Sequence, residues 1–304
     1  MKLNNRRTFT AASGINWYNI HQNTWEMESG TMIPEGNHQS NIVRFKGFQN
    51  EYDRYRPQAP RLVTELLTGY LKRRPALVVD LGCGTGLSTF LWLAAADSVI
   101  GIEPGDDMRG KALEKWKALG SPEGISFIPG YSNSLGLPPE SADIVTCSQS
   151  FHWMEPVSTL KEAGRVLKAR GIFAAYDCDW PPVLEPSIET LYHELIEQAE
   201  AIIGRRLPAE ERAFKWNKDE HLRRIKDSGE FAFAREVVFH NTERCDAERY
   251  VGLTLSQGGV QTVLRLGGGE LDETIAVYRE EVERYFDGRT LETLLSYRIK
   301  LGIK

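Results

Sequence analysis

The chain has 304 residues, 41% of them hydrophobic and 26% charged, with a formal net charge of −5. That composition fits one large globular domain or a core with a smaller cap, and the acidic balance excludes a global basic footprint for nucleic acid. No apolar run approaches the ~18 residues of a membrane span, and Cys83, Cys147, Cys178 and Cys245 form no CxxC pair, so neither a disulfide framework nor a zinc site is expected and a reducing cytoplasm fits best.

Residues 1–47 read as an N-terminal arm. They have no clean period and carry Trp17, Tyr18 and Trp25 among Asn, Gln, Ser and Gly. The pair Arg6–Arg7 is followed by a polar stretch, not the apolar segment of an export signal. From about Pro60 the texture alternates between helix and strand. "RLVTELLTGYLK" puts Leu62, Leu66, Leu67 and Tyr70 on one helical face. "ALVVDLG" is a short run, apolar on both faces, as in a covered parallel strand. "GLSTFLWLAAA" reads as a helix, "SVIGIEP" as a second strand and "DDMRGKALEKWKAL" as a second helix. "ISFIPG" and "ADIVTCSQ" are the third and fourth strands, "VSTLKEAGRVLKA" a helix and "IFAAYDCD" a fifth strand. This alternation predicts a doubly wound α/β architecture, a parallel sheet with helices on both faces.

After Trp180 the pattern changes. "PPVLEPS" stops the strand, and "IETLYHELIEQAEAII" and "KDEHLRRIKDSG" are amphipathic helices, the second capped by Gly229. "FAREVVFHNTER" alternates like a sixth strand and "TLETLLSYRIKLGIK" like a seventh. Between them, "DAERYVGLTLSQGGVQTVLRL" and "LDETIAVYREEVERYFDG" each read as helical. The organisation expected is an arm over 1–47, a nucleoside-binding core over 48–180, a helical cap insertion over 181–230, and remaining core strands with a further cap segment over 231–304.

Three glycines in five residues follow the first strand. Gly82, Gly84 and Gly86 fall where the chain leaves a strand end, where glycine permits positive φ and lets a ligand approach bare backbone. A dinucleotide fingerprint needs G-x-G-x-x-G, and its third position is Leu87 here. The G-x-G-x-G form in "DLGCGTG" instead resembles motif I of the class I S-adenosylmethionine-dependent methyltransferases. "LP" at Leu137–Pro138 followed by "SADIVTCSQSFHW" resembles the type 11 subgroup, which includes enzymes similar to trans-aconitate methyltransferase. "FQNEYDRYRPQAP" (Phe48 to Pro60) supports the same subgroup. The resemblance covers 48–180 well and 181–304 only in general layout.

The resemblance implies a Rossmann-like sheet of about seven strands, mostly parallel with an antiparallel last strand, plus a helical cap. It implies S-adenosyl-L-methionine as cofactor and S-adenosyl-L-homocysteine as product. Gly82, Cys83 and Gly84 would form the cradle, and Glu103, at the end of the second strand, would take the ribose hydroxyls. Pro104 and Met108 would lie by the adenine, and so would Ser132 and Asn133, where many members carry an acid. Arg56 would clamp the methionine carboxylate, with Tyr52 or Tyr55 covering it, and Ser148 would contact cofactor or substrate at the end of the fourth strand.

The activity expected is methyl transfer to an O or N atom of a small molecule, with no nucleic acid or membrane partner. His152 in "SQSFHWM" is the candidate general base; the alternative is a packed wall of Phe151, His152 and Trp153. Asp177 and Asp179 bind substrate or cap a loop. Arg205, Arg206 and Arg265 recognise an anion or are solvated surface. His193, His221 and His240 are scattered, so no metal is expected. Two other functional readings stay open at this point, a nicotinamide-dependent oxidoreductase and a non-catalytic nucleoside-binding module. The acceptor and the oligomeric state are not legible.

Overall fold

The structure is a computed structural model that describes residues 33–304; Arg6, Arg7, Trp17, Tyr18 and Trp25 lie outside the described residues. Seven strands form one sheet, β1 (Val78–Leu81), β2 (Val99–Ile102), β3 (Ile125–Ile128), β4 (Ala142–Ser148), β5 (Leu167–Cys178), β6 (Phe233–Cys245) and β7 (Leu291–Ile303). Their order is β3-β2-β1-β4-β5-β7-β6. The pairs β1–β2, β2–β3, β1–β4 and β4–β5 are parallel. β7 runs antiparallel to both neighbours, β5 and β6, so the last strand is the reversed one, as expected.

The central strands are buried on both faces, which is why VVDL and VIGI lack the polar–apolar alternation of a half-exposed strand. One face is covered in part by two helices of the N-terminal half: α3 (Arg61–Leu71) brings Val63 and Leu67, and α4 (Asp106–Ala118) brings Ala112, onto Val78, Val99 and Ile144. The two short helices before them are α1 (Gln39–Val43) and α2 (Gln49–Tyr55). On the other face, α5 (Pro156–Val166) packs Leu160 and Ala163 against Leu77, Val79 and Phe173. Glu155 caps α5, accepting from the Val157 and Ser158 amides.

Four helices build a separate apolar cluster, α6 (Pro186–Arg206), α8 (Ala247–Leu255), α9 (Gly258–Leu266) and α10 (Asp272–Phe286), around Tyr192, Leu195, Tyr250, Val260, Tyr278 and Phe286. Helix α7 (His221–Asp227), placed with the cap in the sequence reading, puts Ile225 into the sheet cluster instead.

Two expected helices differ. "GLSTFLWLAAA" is a tight 3₁₀ run over Thr89–Ala94. Its first hydroxyls, Ser88 Oγ and Thr89 Oγ1, both turn back to donate to Asp80, and Leu91 N–H donates to Ser88 O three residues back, which winds the chain with fewer residues per turn than an α-helix. "DAERYVGLTLSQGGVQTVLRL" breaks at Ser256–Gln257 into α8 and α9. Arg56 donates to both Ser256 O and Gln257 Oε1 at 3.1 Å, and the following Gly258–Gly259 pair has low helix propensity.

Candidate active site

The strand order reverses between β1 and β4, and a cleft opens at their C-terminal ends. This is the crevice where open α/β sheets bind ligands. Leaving β1, the chain turns through Gly82 (φ 62°) and Gly84 (φ 55°), both left-handed. A Cβ at 82 would lie 2.8 Å from Ser150 Cβ and 2.9 Å from Met154 Cε. A Cβ at 84 would meet nothing within 4 Å, and Gly84 lines the cleft. Gly82 is therefore demanded by packing, whereas Gly84 leaves bare main chain facing the ligand space.

Asp80 anchors this turn from below. Its side chain is fully buried and accepts three hydroxyls, Ser88 at 2.6 Å, Thr89 at 2.7 Å and Thr146 at 2.9 Å. Burial raises its pKa, partly offset by those bonds. Thr146 is its register partner across β1–β4. The sequence reading gave Asp80 no role.

Glu103 follows β2. Its Oε2 accepts the Gly84 N–H at 2.9 Å and its Oε1 the Gly105 N–H at 2.8 Å. Burial pushes its carboxyl up, and the two amides hold it back. Each oxygen keeps a further lone pair for a hydroxyl. Pro104, Met108, Ser132, Ser148 and Tyr52 line the same cleft. The apolar wall is completed by Ile42, Phe45 and Met154.

Three expected cofactor residues are elsewhere. Cys83 turns its thiol into the core beside Phe127 and Gly101, because its amide is spent with that of Gly82 on Ile102 O. Asn133 faces the segment before α1, donating to Glu35 O at 2.9 Å and accepting from Asn37 Nδ2 at 3.0 Å; Asn37, not Asn133, lines the cleft. Arg56 is fixed between the rings of Tyr52 and Trp180, at 5.1 and 4.8 Å, and opens on a second chamber. Tyr55 is turned away, bonding Glu248.

The sequence reading gave no site role to Asn37, His38, Asn41, Ile42 or Phe45, all of which line the first cleft. Asn41 secures them, donating to Trp153 O at 2.9 Å and accepting from Phe214 N–H at 2.8 Å. Arg265, considered for anion recognition, is spent on the carbonyls of Val43, Arg44 and Lys46. Arg206 likewise ties Leu266, Gly267 and Glu270. No periodicity marks residues 37–45, because their contacts mix polar bonds such as Asn41 to Trp153 and Phe214 with the packing of Phe45 on Trp153, all long-range.

The second chamber abuts the first across Phe45, Tyr52, Gln149 and Trp153, which line both. His152 is on its wall. The Nδ1 of His152 is 3.5 Å from Asp177 Oδ1, at the long limit of a hydrogen bond, and Lys218 Nζ is 2.7 Å from the same oxygen. Burial drops the His152 pKa to about 4, so the ring is neutral at pH 7. Burial alone would raise Asp177, but His152 and Lys218 outweigh it and hold it well below the usual range. The fold also brings His221 beside these two, with ligand atoms of all three within 4.8 Å, a cluster that sequence spacing does not reveal. The Lys218 ammonium already compensates its one carboxylate. Asp179 pairs with Arg298 at 3.0 Å.

A sheet ordered β3-β2-β1-β4-β5-β7-β6 with one reversed strand, a glycine turn after β1 and an acid after β2 defines the class I Rossmann-like methyltransferase architecture. Residues 79–175 match the type 11 model of a methyltransferase domain. The probable S-adenosylmethionine-dependent methyltransferase CRG1 of Saccharomyces cerevisiae is 32% identical over 132 residues, covering 42% of this chain and 45% of that protein. An uncharacterized methyltransferase-like protein of Schizosaccharomyces pombe is 28% identical over 135 residues, covering 44% and 50%. The matched region thus spans about half the length of these curated relatives. Among solved structures, one assigned as a type II methyltransferase from Anaeromyxobacter dehalogenans shares the fold, with a TM-score of 0.59 at 20% identity over 82% of this chain and 98% of that one. Bare main chain at Gly84, an acid with free lone pairs beside it and an apolar wall fit an adenosyl amino acid. Among the described residues, no helix is long and apolar enough to cross a membrane.

Proposed function

We propose that the chain methylates an O or N atom of a small molecule, holding S-adenosylmethionine in the first cleft and the acceptor in the second. The observation that carries this is the shared wall, since Tyr52, Gln149 and Trp153 border both spaces. When bound, S-adenosylmethionine supplies an electrophilic methyl whose departing thioether needs no proton. Glu103 takes the ribose hydroxyls, Gly84 admits the ligand to its main chain, and Pro104 and Met108 lie against the adenine.

What remains for the protein is positioning and exclusion of water, which can supply roughly 7–11 kcal/mol. The aromatic wall of Tyr52, Phe45 and Trp153 excludes water at the junction. His152, neutral and on the acceptor side, is the group able to take a proton from a hydroxyl or amine. Asp177 is a positioning residue behind it. The four buried, free thiols suit a reducing compartment, the cytoplasm.

Calorimetric titration with S-adenosylhomocysteine and with NADH is the first test, and binding of the former alone is the result expected. Radiolabelled methyl transfer to a panel of acids, phenols and amines then separates an enzyme from a silent module.

A further inference from the structure

The second chamber has an unusual balance of charge. Four cations line it, Arg44, Arg56, Lys215 and Lys218. Lys218 is neutralised by Asp177 at 2.7 Å. The other three face one lining carboxylate among the described residues, Glu200, which lies 3.9 Å from Lys215 Nζ.

The cations are also underused. Arg44 and Arg56 are each 9% exposed, yet the Nε of each is buried with no partner, as is Gln257 Nε2. A buried donor left unmade is costly, and in a native structure it calls for a missing acceptor. Arg44 approaches so near Gly258 that any side chain there would collide with its guanidinium. Its guanidinium is 4.9 Å from the centre of the Trp153 ring and Lys215 Nζ is 5.4 Å from the same centre. Burial and the neighbouring Arg56 and Arg265 bring the Arg44 pKa down to about 10, although Glu200 opposes this. Burial, then Arg44, lowers Lys215 as well. Like charges are thus held together at an energetic cost that an anion would relieve. The remaining walls are aromatic or apolar, chiefly Phe45, Trp180, Tyr192 and Ile196.

Resting on the methyltransferase reading above, we propose that the acceptor is an anion, a small molecule with a carboxylate, phosphate or sulfate group on an aromatic or apolar body, its charge received by Arg44, Arg56 and Lys215. The planar guanidinium forks suit such oxyanions, and the ring walls suit the body.

The test uses the full chain saturated with S-adenosylhomocysteine, whose binding is established first. Failure at that step removes the methyltransferase reading itself. Benzoate, phenyl phosphate and benzenesulfonate are then titrated against neutral benzamide and benzyl alcohol, following melting temperature and calorimetric heat. One or more anions should bind at least about tenfold tighter than the neutral probes, which corresponds to one charge-assisted hydrogen bond, and which anion does so identifies the group.

Arg44→Gln and Lys215→Met should each weaken that anion about tenfold, while the nucleoside affinity stays within about twofold. Lys215→Met, by relieving repulsion, should hold or raise the melting temperature of the anion-free complex. Equal binding of charged and neutral probes overturns the proposal. So does unchanged anion affinity in both variants. Anion binding that competes with S-adenosylhomocysteine also overturns it, because the cations would then serve the amino-acid carboxylate of the nucleoside.

Discussion

The Gly84 N–H donates to Glu103 Oε2 at 2.9 Å, tying the turn after β1 to the end of β2. One carboxylate therefore sets the shape of the glycine turn and also borders the cleft that the turn lines. Replacing it tests both roles. Glu103→Gln keeps the size but removes the charge and one amide acceptor. S-adenosylhomocysteine affinity should fall by about 100-fold, the worth of two hydrogen bonds to a charged group, with a loss of folding stability near 1 kcal/mol. Calorimetry and urea unfolding read the two effects separately.

The two left-handed glycines should respond oppositely. Gly82→Ala imposes a strained φ and drives a Cβ to 2.8 Å from Ser150, so it should destabilise by about 2–4 kcal/mol. Gly84→Ala pays only the φ cost, about 1–2 kcal/mol, yet puts a methyl group into the cleft. Its fold should survive while nucleoside binding is lost. Urea midpoints and binding isotherms on the same preparations check the pair.

Asp80→Ala strips three buried hydroxyls of their acceptor. The expected loss is on the order of 3 kcal/mol or more. Ser88→Ala alone should cost about 1 kcal/mol, and the combined variant should lose less than the sum, because Ser88 has no partner left once Asp80 is gone.

Acid should weaken the fold through His152. Its folded pKa of about 4 lies below the ordinary 6.5, so the unfolded chain binds more protons between these values. The stability this site contributes is complete above about pH 6.5 and drains away as pH falls toward 4, by about 3 kcal/mol. His221, lowered by burial to about 3, adds to the same trend further down. His152→Gln should flatten the slope of unfolding free energy against pH in that window. If His152 is the base, activity in the parent protein should persist at pH 6, since the ring is still neutral there.

Arg265→Ala removes the donor that holds three carbonyls at the end of α1. Amide exchange over residues 39–46 should quicken by at least tenfold, and nucleoside affinity should drop severalfold because Asn41, Ile42 and Phe45 line the cleft. Hydrogen–deuterium exchange with mass readout measures the first.

The sheet was legible because β1, β2 and β3 are short, mostly apolar runs set between turn residues, while β6 and β7 alternate in polarity. Glu103 was legible because its place after the second strand is fixed by chain length from the glycines. Arg56 was harder. Its neighbours in sequence suggest a cofactor clamp, but its direction is set by Ser256 and Gln257, some 200 residues away. Asn133 failed similarly, since Asn37 and Glu35 claim it. The His152–Asp177–His221 grouping depends on three separate elements meeting, which no spacing rule conveys. The tight turn at Thr89 looked helical because Phe90, Leu91 and Leu93 are good helix residues; the hydroxyls bound to Asp80 override them.

Among the described residues, only Phe45, Tyr52, Gln149 and Trp153 serve both chambers. Everything else in the second space comes from the loop and helices beyond Trp180 or from Arg44, Arg56 and His152. Under the proposed division of cofactor and acceptor between the two spaces, retargeting is thus a job for a library confined to positions such as Tyr192, Ile196, Glu200 and Lys215. New selectivity could be screened there without retuning the nucleoside cradle, and those four common positions are where the two halves of the problem become epistatic.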